Sequence, residues 1–135
     1  MKKLFLAAML LCPLLATAQL AVAVSPAKIT GQKAVVRLEM ANNFTNKIDS
    51  ARAVAFLTGD RGKVLVGANR WVIGGLLGKP GLEAGSTKAF YFVITSAKPF
   101  ATTNLTAKVT FSRIVLAGGK LADPVRDVVI TAAEK

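Results

Sequence analysis

Residues Gly75–Ile94 read "GLLGKPGLEAGSTKAFYFVI", and two kinds of fold compete for them. A glycine-rich loop that cradles a phosphate opens a helix, whereas a glycine-rich turn that only redirects the chain can lead into a strand. The phosphate loop needs a glycine, four residues and then Gly-Lys-Ser/Thr, so that backbone N–H groups wrap the phosphates and the lysine reaches in. Only two residues separate Gly75 from Gly78-Lys79, and Pro80 stands where the hydroxyl belongs. From Gly81 the second glycine, Gly85, comes one place early and the lysine is displaced to Lys88. Gly75, Gly78 and Gly81 are evenly spaced, which also fails the dinucleotide pattern. The residues from Lys88 onward are strand-like. Lys88, Phe90, Phe92 and Ile94 share one parity and Ala89, Tyr91 and Val93 the other. Both sets are largely apolar, which predicts a central strand entered through a long, flexible connection between sheets, with Lys79 as that connection's candidate ligand contact.

The same period of two recurs on both sides. In "KAVVRLEMANN", Val36, Leu38 and Met40 alternate with Arg37 and Glu39, and "NNFTN" closes the strand with residues that bond their own backbone. "KIDSARAVAFLT" carries small alanines with Val54 and Phe56 on one parity. "GDRGK" reads as a hairpin connector, and "KVLVGANRWVIGG" as its return strand, with Gly67 a bulge or close-packing point. Pro99 places "TSAKPFATTN" in a loop. In "LTAKVTF", Leu105, Ala107, Val109 and Phe111 alternate with Thr106, Lys108 and Thr110; the apolar parity changes near Ser112, as a β-bulge would make it. "AGGK" signals another hairpin, and "LADPVRDVVITA" reads as one last strand with Pro124 near its start or at an edge. No window after residue 24 sustains helical spacing. About seven antiparallel strands in one domain predict an all-β, immunoglobulin-like sandwich.

The ends and the composition bound the rest. "MKK", the apolar "LFLAAMLLCPLLA" and the small residues of "ATA" before Gln19 have the three parts of a cleavable export signal. The run from Leu4 to Ala18 is 15 residues, short of the roughly 20 a membrane span needs. Cleavage is expected after Ala18, with Ala23 as the alternative, and delivery to the periplasm or outside of a bacterium. Residues 1–18 are then the signal, 19–32 an extended segment with the first strand, 33–131 the sandwich and 132–135 a frayed tail. Cys12, the only cysteine, lies in the signal behind a large Leu11, which disfavours lipidation. The exported chain then has no disulfide, and its stability must come from its core.

The chain has no histidine, so His-based acid–base catalysis and Ser-His-Asp triads are excluded. The 18 basic residues fall to 16 without Lys2 and Lys3 and, against 7 acidic ones, leave a net charge of +9. That balance favours anionic partners, although the charges are scattered rather than blocked.

Three pieces, "EMANNFTNKI", "VAFLTGDRGKVL" and "GLEAGSTKAFYFVI", share the order of features in small bacterial immunoglobulin-like modules called FxLYD domains: a strand ending in an Asn-rich turn, a strand running into Asp and Gly-Lys, then a leucine, a glycine turn and a phenylalanine-rich strand. The chain resembles these modules over roughly residues 33–95, with Phe56, Leu57 and Asp60 at the name-giving motif. The resemblance implies an exported, non-catalytic module and carries over no functional residues.

Asp123 and Asp127 share a strand parity and, with Asp60, form the one candidate carboxylate cluster; flanked by Lys120, Arg126 and Arg61, they read better as surface charges. Ser86 and Lys88 form a dyad only by parity. The candidate anion-binding residues are Arg61, Lys63, Arg70 and Lys79, if their hairpins converge at one end of the sandwich. Trp71 and Tyr91 are the candidate stacking residues, Trp71 being read first as core. Val35, Tyr91, Val93, Val128 and Ile130 lie where a sheet face or edge could meet a partner. The expected function is therefore a binding or structural module of the cell envelope that acts through protein contacts, with an envelope protein or a second copy as partner. The alternative is a binder of anionic polymer or lipid head groups through a basic loop end. Nucleic acid, an enzymatic role and any cofactor are not expected.

Overall fold

The computed structural model describes residues 19–59, 62–76, 78–101 and 104–132. The expected export signal, Asp60 and Arg61 at the predicted hairpin tip, and the expected tail beyond residue 132 lie outside the described residues. Among the described residues nine strands succeed one another: β1 Leu20–Val24, β2 Lys28–Thr30, β3 Lys33–Asn42, β4 Ile48–Thr58, β5 Val64–Gly74, β6 Thr87–Thr95, β7 Thr106–Leu116, β8 Leu121–Ala122 and β9 Val128–Ala132. They form two sheets, and the described residues make an all-β sandwich.

In sheet A, β3 is central. β6 pairs along one side of it, while β1 and β2 share the other, β1 opposite Leu38–Asn42 and β2 opposite Lys33–Val35. β9 pairs with β1 in parallel. Sheet B runs β5-β4-β7-β8. The predicted alternation sets the inner face of sheet A: Val36, Leu38 and Met40 of β3 meet Leu20 and Val22 of β1 and Phe92 and Ile94 of β6 in the core. Each such side chain, fully buried, contributes about 1.5–3 kcal/mol relative to exposure. β6 is therefore not the central strand expected from its two apolar parities. It pairs only with β3 among the described residues, and its second parity, Tyr91 and Val93, faces outward.

Sheet B decides which parity of β4 faces the core. Its inward residues are Ala51, Ala53, Ala55 and Leu57, while Val54 and Phe56 are half-buried on the outer face. Small side chains suit this position, because β4 sits between β5 and β7 at the centre of its sheet. The bulge expected at Ser112 is there: Arg52 pairs with Arg113 and Ala53 with Phe111, leaving Ser112 as the extra residue. Gly67 is a close-packing point and not a bulge. It pairs in register with Phe56, and an added Cβ would press on Ala55 O and the Phe56 side chain at 3.2 Å.

Two connections depart from the sequence reading. "LADPVRDVVITA" is not one strand. Asp123 Oδ1 accepts the N–H groups of Val125 (2.9 Å) and Arg126 (3.0 Å), and Asp127 Oδ2 accepts that of Asp123 (2.9 Å). These bonds, with Pro124 offering no N–H, turn the chain out of sheet B after β8 and into sheet A as β9. The N–H groups of Arg126, first, and Val125 hold the Asp123 carboxyl below the usual carboxylate range. The connection between β5 and β6 does cross between sheets, but it is tied down along its length. Leu82 is buried and exchanges two backbone bonds of 2.9 Å with Ile48; Gly74 N donates to Pro80 O, and Gly85 N to Asn42 O.

Candidate functional site

The sandwich presents two outer faces that differ in how their charges are placed. On sheet A the outward residues of neighbouring strands line up by register: Val129 beside Ala21, Ala21 beside Ala41, and Ala41 beside Thr87; then Glu39 beside Ala89, Arg37 beside Tyr91, and Val35 beside Val93. Tyr91 is 57% exposed, Val93 42% and Val129 41%. The two charges in the middle of this face answer each other. Arg37 Nη1 lies 3.4 Å from Glu39 Oε1, and Arg37 Nε donates to Tyr91 Oη at 3.3 Å. The Arg37 guanidinium also sits 6.0 Å from the Tyr91 ring centroid, so the cation is spread over an aromatic plane. These contacts pair the two central charges within an apolar surround, while Lys28, opposite Val35, and Lys33 stand exposed at the β2 end of the same face.

The outer face of sheet B is basic. Arg52 of β4 stacks 5.2 Å from the ring centroid of Trp71, and its Nε donates to Asn69 Oδ1 at 2.8 Å. Arg113 stands opposite Arg52 in the β4–β7 register, and Lys108 stands opposite Phe56. Like charges facing one another across a ladder repel. Among the described residues, none of Arg52, Lys108 and Arg113 has an acidic partner. The face therefore pairs an aromatic platform with three uncompensated cations.

The predicted site residues do not assemble as one group. Arg61 lies outside the described residues. Lys63 precedes β5 and Arg70 lies seven residues further on, about 23 Å along an extended strand, so the two cannot close on one ligand. Arg70 Nη1 donates to Asn69 O at 3.1 Å. Lys79 is engaged by the protein itself: its Nζ donates to Trp71 O at 3.2 Å and sits 5.0 Å from the Phe90 ring centroid. Burial, and then the charge of Lys79, lower the pKa of Lys88. Trp71 is half-buried on the outer face of sheet B instead of in the core, and Tyr91 is on the outer face of sheet A, so the two rings cannot sandwich one ligand. Of the apolar positions, Val35, Tyr91 and Val93 do share a face. Val128 and Ile130 have the core's parity instead, and Ile130 is 39% exposed where the two sheets part.

The sequence reading did not select Arg52, Lys108 and Arg113. Their signal was parity: Arg52 alternates in step with Val54 and Phe56, and Lys108 with Thr106 and Thr110. Assigning that parity to the outside required recognising that β4 buries its alanines. No protein-family model matches the chain, and no curated protein matches it significantly.

Proposed function

We propose that the protein is an exported, non-catalytic binding module of the bacterial cell envelope that works through protein contacts, on an immunoglobulin-like sandwich of FxLYD-like type. The observation that carries this reading is the outer face of sheet A. In a chain with a formal charge of +11, exposed Tyr91 and Val93 join Val35 and Ala89 in one continuous apolar patch, bordered by Lys28. Cleavage after Ala18 fits the export reading better than cleavage after Ala23, because the latter would remove Leu20 and Val22 from the core. A photo-crosslinking residue placed at Val93 tests the proposal in the producing cell. It is expected to give a discrete adduct that disappears when Ala89→Glu puts a charge into the patch. Absence of an adduct, or the same adduct from a probe at Lys120, would overturn it.

The stacked Arg52–Trp71 pair favours a second reading, in which the basic face of sheet B holds an anionic polymer or lipid head groups. This reading moves the expected anion site from the loop end to a sheet face.

A further inference from the structure

We propose that the free edge of β7, residues Thr106–Arg113, receives an extended segment of a partner polypeptide as a fifth strand of sheet B, and that this segment alternates apolar with acidic side chains. β7 is paired along its whole length with β4, but on its other side β8 covers only Ile114 and Val115. In an antiparallel ladder every second residue turns both its N–H and its C=O to the same side. Over Thr106–Arg113 those outward groups meet no other strand among the described residues. An open ladder edge of eight residues spans about 26 Å and is a template for another chain.

The edge opens onto a groove of about 360 Å³ whose lining includes Val24, Ala107, Val109, Ile130 and Ala132. It exists because β9 turns away to pair with β1, so the two sheets part along β7 and leave Ile130 half-covered despite its core parity. A strand added to β7 directs alternate side chains into this groove, whose largely apolar lining favours apolar groups, since polar ones would lose hydration there. Its intervening side chains fall on the outer face, beside Lys108 and toward Arg113 and Arg52. Among the described residues, Lys108 is the only charged one lining the groove. Acidic groups at those positions meet uncompensated cations, whereas the β7 edge of a second copy would bring Lys108 and Arg113 toward their like. The same lysine that deters self-pairing thus selects an acidic partner.

The test uses a fluorescent, end-capped peptide of alternating glutamate and valine, eight residues long, titrated against the purified protein at low and physiological salt. Saturable binding is expected, with protection of the Thr106–Arg113 amides from hydrogen exchange. Affinity should fall at least tenfold when lysine replaces glutamate in the peptide, and likewise in the exposed-site variants Ile130→Glu and Lys108→Glu. N-methylating every second peptide nitrogen should abolish binding in one phase and spare it in the other, since one peptide edge faces β7 and the other faces water. No saturable binding would overturn the proposal, as would equal binding by both methylated phases or protection confined to β6 or β9. Hydrogen exchange on the unsubstituted protein decides the matter should a variant fail to fold.

Discussion

Asn42 shows how one polar side chain can fix a region of an apolar core. It is fully buried at the end of β3. Its Nδ2 donates to Asn46 O at 3.0 Å and to Leu82 O at 2.9 Å, and its Oδ1 accepts Phe44 N at 2.8 Å. The side chain thus closes the β3–β4 turn and anchors the β5–β6 connection to it. Asn42→Ala leaves one buried N–H and two carbonyls without that partner, so a loss of about 2–4 kcal/mol in urea unfolding is expected. Asn42→Asp keeps the acceptor, removes both donors and buries a charge. Burial raises the folded-state pKa of the new carboxyl above its unfolded value of about 3.9. The folded state then binds more protons than the unfolded chain in that window, so stability falls as pH rises through it and returns on acidification. A pH series of urea midpoints, each taken relative to the unsubstituted protein so that the contribution of Asp123 cancels, checks this: the difference should be flat for the alanine variant and should grow with rising pH for the aspartate one. The turn itself was legible in "NNFTN". Its partner Leu82, forty residues on, was not, because local sequence holds no record of which carbonyl a side chain will reach.

Among the elements, the glycine-rich connection between β5 and β6 carries distinct demands at neighbouring positions. Gly74 has φ +51°, and a Cβ there would fall on the Asp49 carbonyl oxygen; Gly78 has φ +83° but open space around it. Gly74→Ala therefore combines left-handed strain with a backbone collision at the β4–β5 ladder, and should cost more than about 3 kcal/mol. Gly78→Ala should cost about 1–2 kcal/mol, from conformation alone. Denaturant midpoints of the two variants separate these contributions, and equal losses would refute the packing argument. Elements were legible wherever one parity is apolar and the other polar, as in β3 and in β7 with its bulge at Ser112. They were misread where both parities carry apolar residues. β6 looked central because Tyr91 and Val93 are apolar on an outer face, and the inward parity of β4 stayed undecided because its inner face is built of alanine. The break between β8 and β9 was hidden because Asp123 and Asp127 look like surface charges until their carboxylates are seen holding the turn.

At the scale of the whole molecule, charge is arranged differently on the two faces. Sheet A pairs Arg37 with Glu39 beside Tyr91 and keeps Lys28 and Lys33 at its β2 end, while sheet B gathers Arg52, Lys108 and Arg113 without acidic partners among the described residues. Composition announced the basic balance but not its sorting, since the alternation that separates the two faces is the same in every strand. If the basic face of sheet B binds polyanions, the protein is held on heparin resin and released by salt, because screening and counterion release weaken such contacts steeply. The double variant Arg52→Ala with Arg113→Ala should then elute at distinctly lower salt. A control that removes equal charge elsewhere, Lys33→Ala with Lys98→Ala, should elute close to the unsubstituted protein. Both pairs lower the net charge by two, so only the arrangement of the cations distinguishes them. Equal shifts would assign retention to net charge alone, and flow-through at low salt would remove the anion reading, leaving the apolar face of sheet A and the edge of β7 as the surfaces that meet a partner.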